Sequence, residues 1–299
     1  MKTYFFVLIF NLISISIFAQ NAENKFSHRI GDFEVVLLNW GQSQGNSSIL
    51  VGATDEMMKE CIPQGTFPNA VNAFLIRTPE KTILVDAGFE NGLLANLHAN
   101  EVHASQVDII LITHMHGDHI GGLLTDGKAR FPNAEIYLSQ PEYDYWMSDE
   151  MMNNAPESKR AGFKMARQVI EVYKDRLQLF VPVVPGNLGE KSLELLPGIT
   201  PLFAPGHTPG HTMYLLESGD GRMLIWGDLT HAMSIQMPYP EVAVTYDVDP
   251  NLAIQSRKAV LEYVTRNAVF VAGMHIAFPS MGNIKEDGAG RYLFLPLEK

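Results

Sequence analysis

The string Thr113-His114-Met115-His116-Gly117-Asp118-His119 constrains this chain more than any other feature. It follows directly on Val107–Ile112, an apolar run with one Asp that suits a strand buried on both faces. Side chains leaving a strand end converge on one point, and loops there commonly carry function. Three imidazoles and a carboxylate packed so closely cannot be core material, because each polar group needs a partner. A divalent metal is the natural partner, since neutral imidazole and carboxylate are ordinary ligands. One ion cannot easily take all four from so short a loop, whereas two adjacent ions can. The competing reading is a histidine-rich surface turn, and later motifs argue against it.

Those motifs complete a set. Ala204-Pro205-Gly206-His207-Thr208-Pro209-Gly210-His211 follows the expected strand Thr200–Phe203, and its glycines and prolines make a tight loop presenting His207. Ile225-Trp226-Gly227-Asp228 is another strand end with a carboxylate, and Val271-Ala272-Gly273-Met274-His275 a third with a histidine. Taken alone, each of these would read as structural. Together they make seven candidate ligands: His114, His116, Asp118, His119, His207, Asp228 and His275. Two cations a few ångströms apart would acidify a shared water and stabilise charge developing on a substrate oxygen. Asp86 reads as fixing a ligand histidine, and Asp118 as able to orient the attacking hydroxide. His211 reads as a support behind the ligands, while His28, His98 and His103 read as surface residues.

The order and spacing resemble the metallo-β-lactamase fold hydrolases, with the H-x-H-x-D-H signature complete. Val85-Asp86-Ala87-Gly88 is similar to that family's early aspartate turn. The resemblance runs from about residue 30 to the C-terminus. It implies that His114, His116 and His207 hold one metal and Asp118, His119 and His275 the second. Asp228 would bridge them, with a hydroxide between the ions as nucleophile. Zn2+ is the default ion, and Mn, Fe and Co suit the same ligands. Gly273-Met274-His275-Ile276-Ala277-Phe278-Pro279, Gly282 and Gly288-Ala289-Gly290-Arg291-Tyr292 resemble methyl parathion hydrolase and its exported relatives. In that branch the substrate lies over the metals between aromatic side chains, for which Trp146, Phe163 and Phe89 are the candidates here. Helix packing is the competing role for these aromatics.

The implied activity is hydrolysis of an ester-type bond: carboxylic ester, lactone or phosphotriester. An acyl-homoserine lactone hydrolase is one alternative. That branch commonly has a tyrosine three residues after the bridging aspartate, and here His231 stands there, reading as another support of the site. A β-lactamase fits less well, because an aspartate bridge such as Asp228 is foreign to its usual site. A non-enzymatic metal-binding protein is the remaining class, disfavoured because no bulky apolar residue replaces any of the seven candidates.

Charge narrows the partners. Lys plus Arg total 22 against 33 Asp plus Glu, a net charge of −11. Such a chain binds nucleic acid poorly, because phosphate contact needs clustered Lys and Arg. The expected partner is a small-molecule substrate, and a homodimer is compatible with the sequence. The single cysteine, Cys61, excludes an intrachain disulfide framework and a Cys-based zinc cluster. Met1-Lys2, then the apolar run Tyr4 to Phe18, then Ala19 and a polar stretch have the layout of a secretory signal peptide. Residues 1–19 are expected to be removed, leaving one hydrolase domain over 20–299 in the periplasm or secreted. Loss of Lys2 then takes the net charge from −11 to −12. No later segment is long and apolar enough to span a bilayer, so no stable membrane insertion is expected after cleavage.

Between these motifs the chain alternates short apolar runs with turn clusters. Expected strands are Phe33–Leu38, Ala73–Ile76, Thr82–Val85, Val107–Ile112, Glu135–Leu138, Leu193–Leu196, Thr200–Phe203, Thr212–Leu216, Met223–Trp226 and Val269–Ala272. Expected helices are Gly92–Asn100, Pro141 to about Met151, Ser158–Arg176 and one capped by Asp249-Pro250 running to about Arg266. Gln42–Ser48 reads as a polar loop, and Met57–Pro68 as a long loop near a mouth. Many short strands with helices between pairs of them indicate an α/β four-layered αβ/βα sandwich, two β-sheets packed face to face with helices outside. Its two similar halves would meet near residue 185.

Overall fold

A computed structural model describes residues 26–184 and 193–298. The expected signal peptide and the exact meeting point of the halves lie outside the described residues. The first sheet has seven strands in chain order: Ser27–Ile30 (β1), Phe33–Asn46 (β2), Thr66–Arg77 (β3), Thr82–Val85 (β4), Ile109–Leu111 (β5), Glu135–Ser139 (β6) and Leu177–Phe180 (β7). The second has six: Ile199–Phe203 (β8), Thr212–Ser218 (β9), Gly221–Ile225 (β10), Phe270–Ala272 (β11), Met281–Glu286 (β12) and Tyr292–Pro296 (β13). Within the first sheet β4 through β7 run parallel, and within the second β10 and β11 do so.

Alternation along the strands builds the layers. On β2, Val35 and Leu37 join Phe74, Ile76, Val85 and Leu111 in packing against Tyr214, Leu216, Met223 and Ile225 of the second sheet. The intervening Val36 and Leu38 face the other way. There they meet the helices Leu93–Ala99 (α2), Gln140–Met147 (α3) and Glu157–Tyr173 (α5) through Leu97, Trp146, Phe163 and Ile170. The outer face of the second sheet is covered by Pro250–Arg266 (α6), through Val260, Leu261 and Val264 on Leu215, Leu224 and Val271. The period of two in the strands thus sends alternate residues into separate cores, and the order helix, sheet, sheet, helix is the expected sandwich.

Four local expectations are corrected. Gln42–Ser48 is not simply a loop, because β2 continues to Asn46, paired with β3 beyond a register shift between Asn39 and Gln42. Its residues are polar because this arm projects past the core and is largely exposed. Met57–Pro68 overlaps the helix Asp55–Cys61 (α1), whose cap Thr54 accepts from Met57 N. That helix packs only on a small satellite cluster with Phe67 and Ile235, too small to imprint a clear period. Leu193–Leu196 is a tight turn into β8, closed by Leu195 N to Ile199 O, rather than a strand. The helix expected from Pro141 to Met151 breaks at Ser148, which ends α3 and caps Asp149–Asn154 (α4) by accepting from Met151 N at 3.2 Å. The Asp249 cap of α6 is as expected, accepting from Leu252 N at 3.0 Å.

Candidate metal centre

Five strands end at one edge of the sandwich, and each hands a polar residue to it. Asp86 follows β4, the His114–His119 string follows β5, His207 follows β8, Asp228 follows β10 and His275 follows β11. The seven candidates from four separate segments come together in two groups, His114–His116–His207–Asp228 and Asp118–His119–His275.

In the first group His114 Nε2, His116 Nδ1 and His207 Nε2 form a triangle with sides of 3.0, 3.0 and 3.2 Å. The opposite nitrogens of two of these rings are already engaged. His207 Nδ1 lies 2.9 Å from Asp247 Oδ1. Thr113 Oγ1 donates to Asp86 Oδ2 at 2.7 Å and so accepts from His114 Nδ1 at 3.1 Å. His114 therefore turns a bare Nε2 lone pair inward, and Asp247 aims His207 Nε2 at the same point, where a cation can replace the proton that Asp228 and Asp247 favour on that ring. Tetrahedral Zn2+ with bonds of about 2.0–2.1 Å places its ligands about 3.3 Å apart, close to this triangle.

The second group is fixed in the same manner. His119 Nδ1 meets Asp86 Oδ2 at 2.7 Å, and His275 Nδ1 meets the Ala70 carbonyl at 3.0 Å. Their Nε2 atoms point inward, 3.7 and 3.5 Å from Asp118 Oδ2. Asp228 stands between the groups. Its Oδ2 is 3.3 Å from His207 Nε2 and 3.1 Å from His275 Nε2, and its Oδ1 is 3.2 Å from His119 Nε2. His119 Nε2 and Asp228 Oδ1 are buried without a hydrogen bond. Two such groups facing each other at 3.2 Å need a proton or a cation between them, so the donor set fits a divalent pair.

Charge follows from burial and from neighbours. Burial first, then the surrounding imidazoles, keep His114 and His116 well below the usual histidine range, which favours the neutral form that binds metal. Burial would raise Asp228, but His119, His275, His231 and His114 hold it well below the usual carboxylate range.

The supporting residues divide into expected and unexpected. Asp86 is fully buried at φ 58°, and its Oδ1 also accepts from Thr113 N at 2.8 Å, so it fixes two ligand histidines as well as the loop between them. His211 accepts from Asp228 N at 2.9 Å through Nε2 and donates through Nδ1 to Ala204 O at 3.0 Å. A Cβ on Gly227 would come within 2.5 Å of that ring, so only glycine fits, at φ +58°. His231 Nε2 lies 2.9 Å from Asp228 Oδ2 while its buried Nδ1 has no partner among the described residues, and burial lowers its pKa to about 4. Asp247 was not anticipated, although Asp247-Val248-Asp249 holds one carboxylate more than a helix cap needs. Nor was Asn72, whose Nδ2 donates to Gly273 O and Ile276 O and so shapes the loop around His275. Buried Arg257 donates to the carbonyls of Leu229, Pro240 and Val242, tying down the segment after Asp228.

A cavity of about 590 Å³ opens over the cluster, with Asp118, Asp228, Trp146, Phe163 and Tyr246 in its lining. Trp146 and Phe163 are 4% and 1% exposed and stack at 4.7 Å, so the helix-packing role and the pocket-lining position coexist. Phe89 is elsewhere. With Trp40 and Met165 it walls a neighbouring cleft of about 720 Å³ that shares Ser43, Val71 and Gly117 with the cavity. His98 and His103 are exposed and His28 is half-buried, all away from the site.

The model of the metallo-beta-lactamase superfamily matches residues 66–275, a span that holds all seven candidates. A Bacillus subtilis protein named probable metallo-hydrolase YqgX is 30% identical over 162 residues, 54% of this chain and 67% of that protein. The crystal structure of hydrolase AbOPH, of the beta lactamase superfamily, superposes with a TM-score of 0.82 at 28% identity, covering 92% of this chain and 98% of that one. AidC, a dizinc quorum-quenching lactonase in complex with a product, gives 0.81 at 25% identity with the same coverage. With its fold, its seven converging side chains and the matched span in agreement, the chain belongs to the metallo-beta-lactamase superfamily and is a metal-dependent hydrolase.

Proposed function

We propose that the chain is a dinuclear hydrolase of neutral ester-type bonds, carboxylic ester, lactone or phosphotriester, that works after export. The observation that carries this reading is the pair of His/Asp groups joined by Asp228 on the floor of an aromatic-walled cavity. Two divalent ions bound there would supply an acidified water and polarise the substrate's reacting oxygen. The chain's own residues do the rest. Asp118 is the most open acid of the cluster, 26% exposed at its side chain, and is placed to hold the proton released by the attacking water. Trp146 and Phe163 orient an apolar group and exclude water. Lys159 is the only Lys or Arg in the described lining, a poor fit for a polyanion. The cleft at Trp40, Phe89 and Met165 continues from the cavity and suits a second, apolar arm of the substrate. A lactonase is supported by the likeness to AidC, and the tail motifs support the methyl parathion hydrolase-like branch.

The test is a screen of metal-loaded protein on an aryl ester, a lactone, a phosphotriester and a β-lactam. Turnover of one of the first three, abolished by a chelator and restored by Zn2+ or Mn2+, is expected. Preference for the β-lactam, RNA or another anionic substrate would overturn the reading. Export has its own check: N-terminal sequencing should find the mature chain beginning near Gln20, and a cytoplasmic chain starting at Met1 would contradict it.

A further inference from the structure

The two loops that carry the histidines of the first ligand group do not touch only at the ligands. They also meet behind them, on one carboxylate. Glu142 sits in α3, fully buried. Its Oε1 accepts from Met115 N at 2.9 Å and from Trp146 Nε1 at 2.6 Å. Its Oε2 accepts from Thr208 Oγ1 at 2.6 Å and from Gly210 N at 3.0 Å. Met115 lies between His114 and His116, and Thr208 follows His207. All four partners are neutral donors, and no Lys or Arg pairs with this carboxylate among the described residues.

We infer that Glu142 is a positioning residue that locks the His114–His116 loop, the His207 loop and the Trp146 wall of the cavity into a single register. The geometry leaves no slack for another role. Four donors saturate a carboxylate's acceptor capacity, and charge-assisted bonds of this kind are the strong ones. The loop is also pressed against α3. A Cβ on Gly210 would lie 2.0 Å from Glu142 N, and Ser139 Oγ donates to Gly210 O at 2.7 Å. With Glu142 in place, the amide between two ligand histidines and the residue after the third are set from one point. Met115 itself anchors in the core, 2% exposed, which turns its two neighbours toward the ligand site. The remaining donor, Trp146 Nε1, fixes the edge the indole shows to a substrate.

This inference rests on the proposed metal-loaded hydrolase, and its test reads metal affinity as well as turnover. Zn2+ affinity of the folded chain is measured by competition with a chromophoric chelator. Glu142→Gln keeps the shape but must turn an amide NH2 toward one pair of donors. It should weaken Zn2+ binding about 10–100-fold, the scale seen when a residue supporting metal ligands is lost, and raise KM for an aryl ester. Thr208→Val removes one donor and should weaken Zn2+ binding in the same direction, while Thr208→Ser, which keeps the hydroxyl, should restore it. If Glu142→Gln does not fold, the Thr208 pair decides. Wild-type Zn2+ affinity in the folded variants would overturn the positioning role alone, leaving Glu142 a stabilising core residue. A wild-type chain that takes up no Zn2+ would overturn the function proposal and this inference with it.

Discussion

Asp247 Oδ1 lies 2.9 Å from His207 Nδ1, and its other oxygen accepts from Val244 N at 3.1 Å. One carboxylate thus holds the imidazole while being held by the backbone. The pairing fixes the tautomer that turns His207 Nε2 toward its partners. Asp247→Asn preserves the size and the Val244 contact but can present an amide NH2 to Nδ1. We expect metal affinity to fall about 10–100-fold with little loss of thermal stability in the metal-free chain. Chelator competition and a melting curve check this, and unchanged affinity would remove Asp247 from the site.

Asp228 faces both ligand groups. Asp228→Ala should leave each group one oxygen poorer and its imidazoles facing a hole. Metal content by elemental analysis should drop below two ions per chain. Turnover should fall by about 10²–10³-fold or more, comparable to losing a group that contacts the developing charge. Two tightly held ions with wild-type turnover in this variant would exclude the bridging role.

The parts of the site that were legible in the sequence share one property: they are local strings. His114 to His119 announces itself because six adjacent residues hold four potential ligands, and Gly206 to Gly210 because its turn residues frame a histidine. The sheets were legible where alternation or unbroken apolarity marks a buried strand, as at Thr82–Val85. What escaped is non-local. Glu142 meets residues 27 and 66 positions away, and Asp247 meets His207 across 40. Such contacts leave no period or spacing. The outer arm of β2 escaped because exposed polar strands lack the alternation that burial imposes, and the sequence does not show that Phe89 lines the neighbouring cleft while Trp146 and Phe163 line the cavity.

Phe89 offers a clean test of the second cleft because it is 47% exposed and outside the buried core. Phe89→Ala should leave thermal stability nearly unchanged. Removing its contact area should cost a bound apolar arm about 1 kcal/mol at 25 cal/mol per Å2, or roughly fivefold in KM. The loss should grow along a series of esters with lengthening acyl chains and vanish for acetate esters. Equal effects on short and long chains would show that the cleft is not used.

Removing metal should reveal how much of the fold's stability the centre contributes. An ion that binds the folded chain but not the unfolded one adds about 2.7 kcal/mol at a free concentration one hundred times its Kd. For a domain of this size each kcal/mol moves Tm by about 2–4 °C, so one such ion raises it by roughly 5–10 °C. In the metal-free chain His119 Nε2 and Asp228 Oδ1, buried 3.2 Å apart, need a proton between them, which a bound cation replaces. We therefore expect a chelator to lower Tm by at least that amount and excess Zn2+ to restore it. The restoration should shrink in Asp228→Ala and in Asp247→Asn, because both act on the ions rather than on the core. A melting temperature indifferent to chelator and to Zn2+ would show that the cluster binds no ion in the folded state.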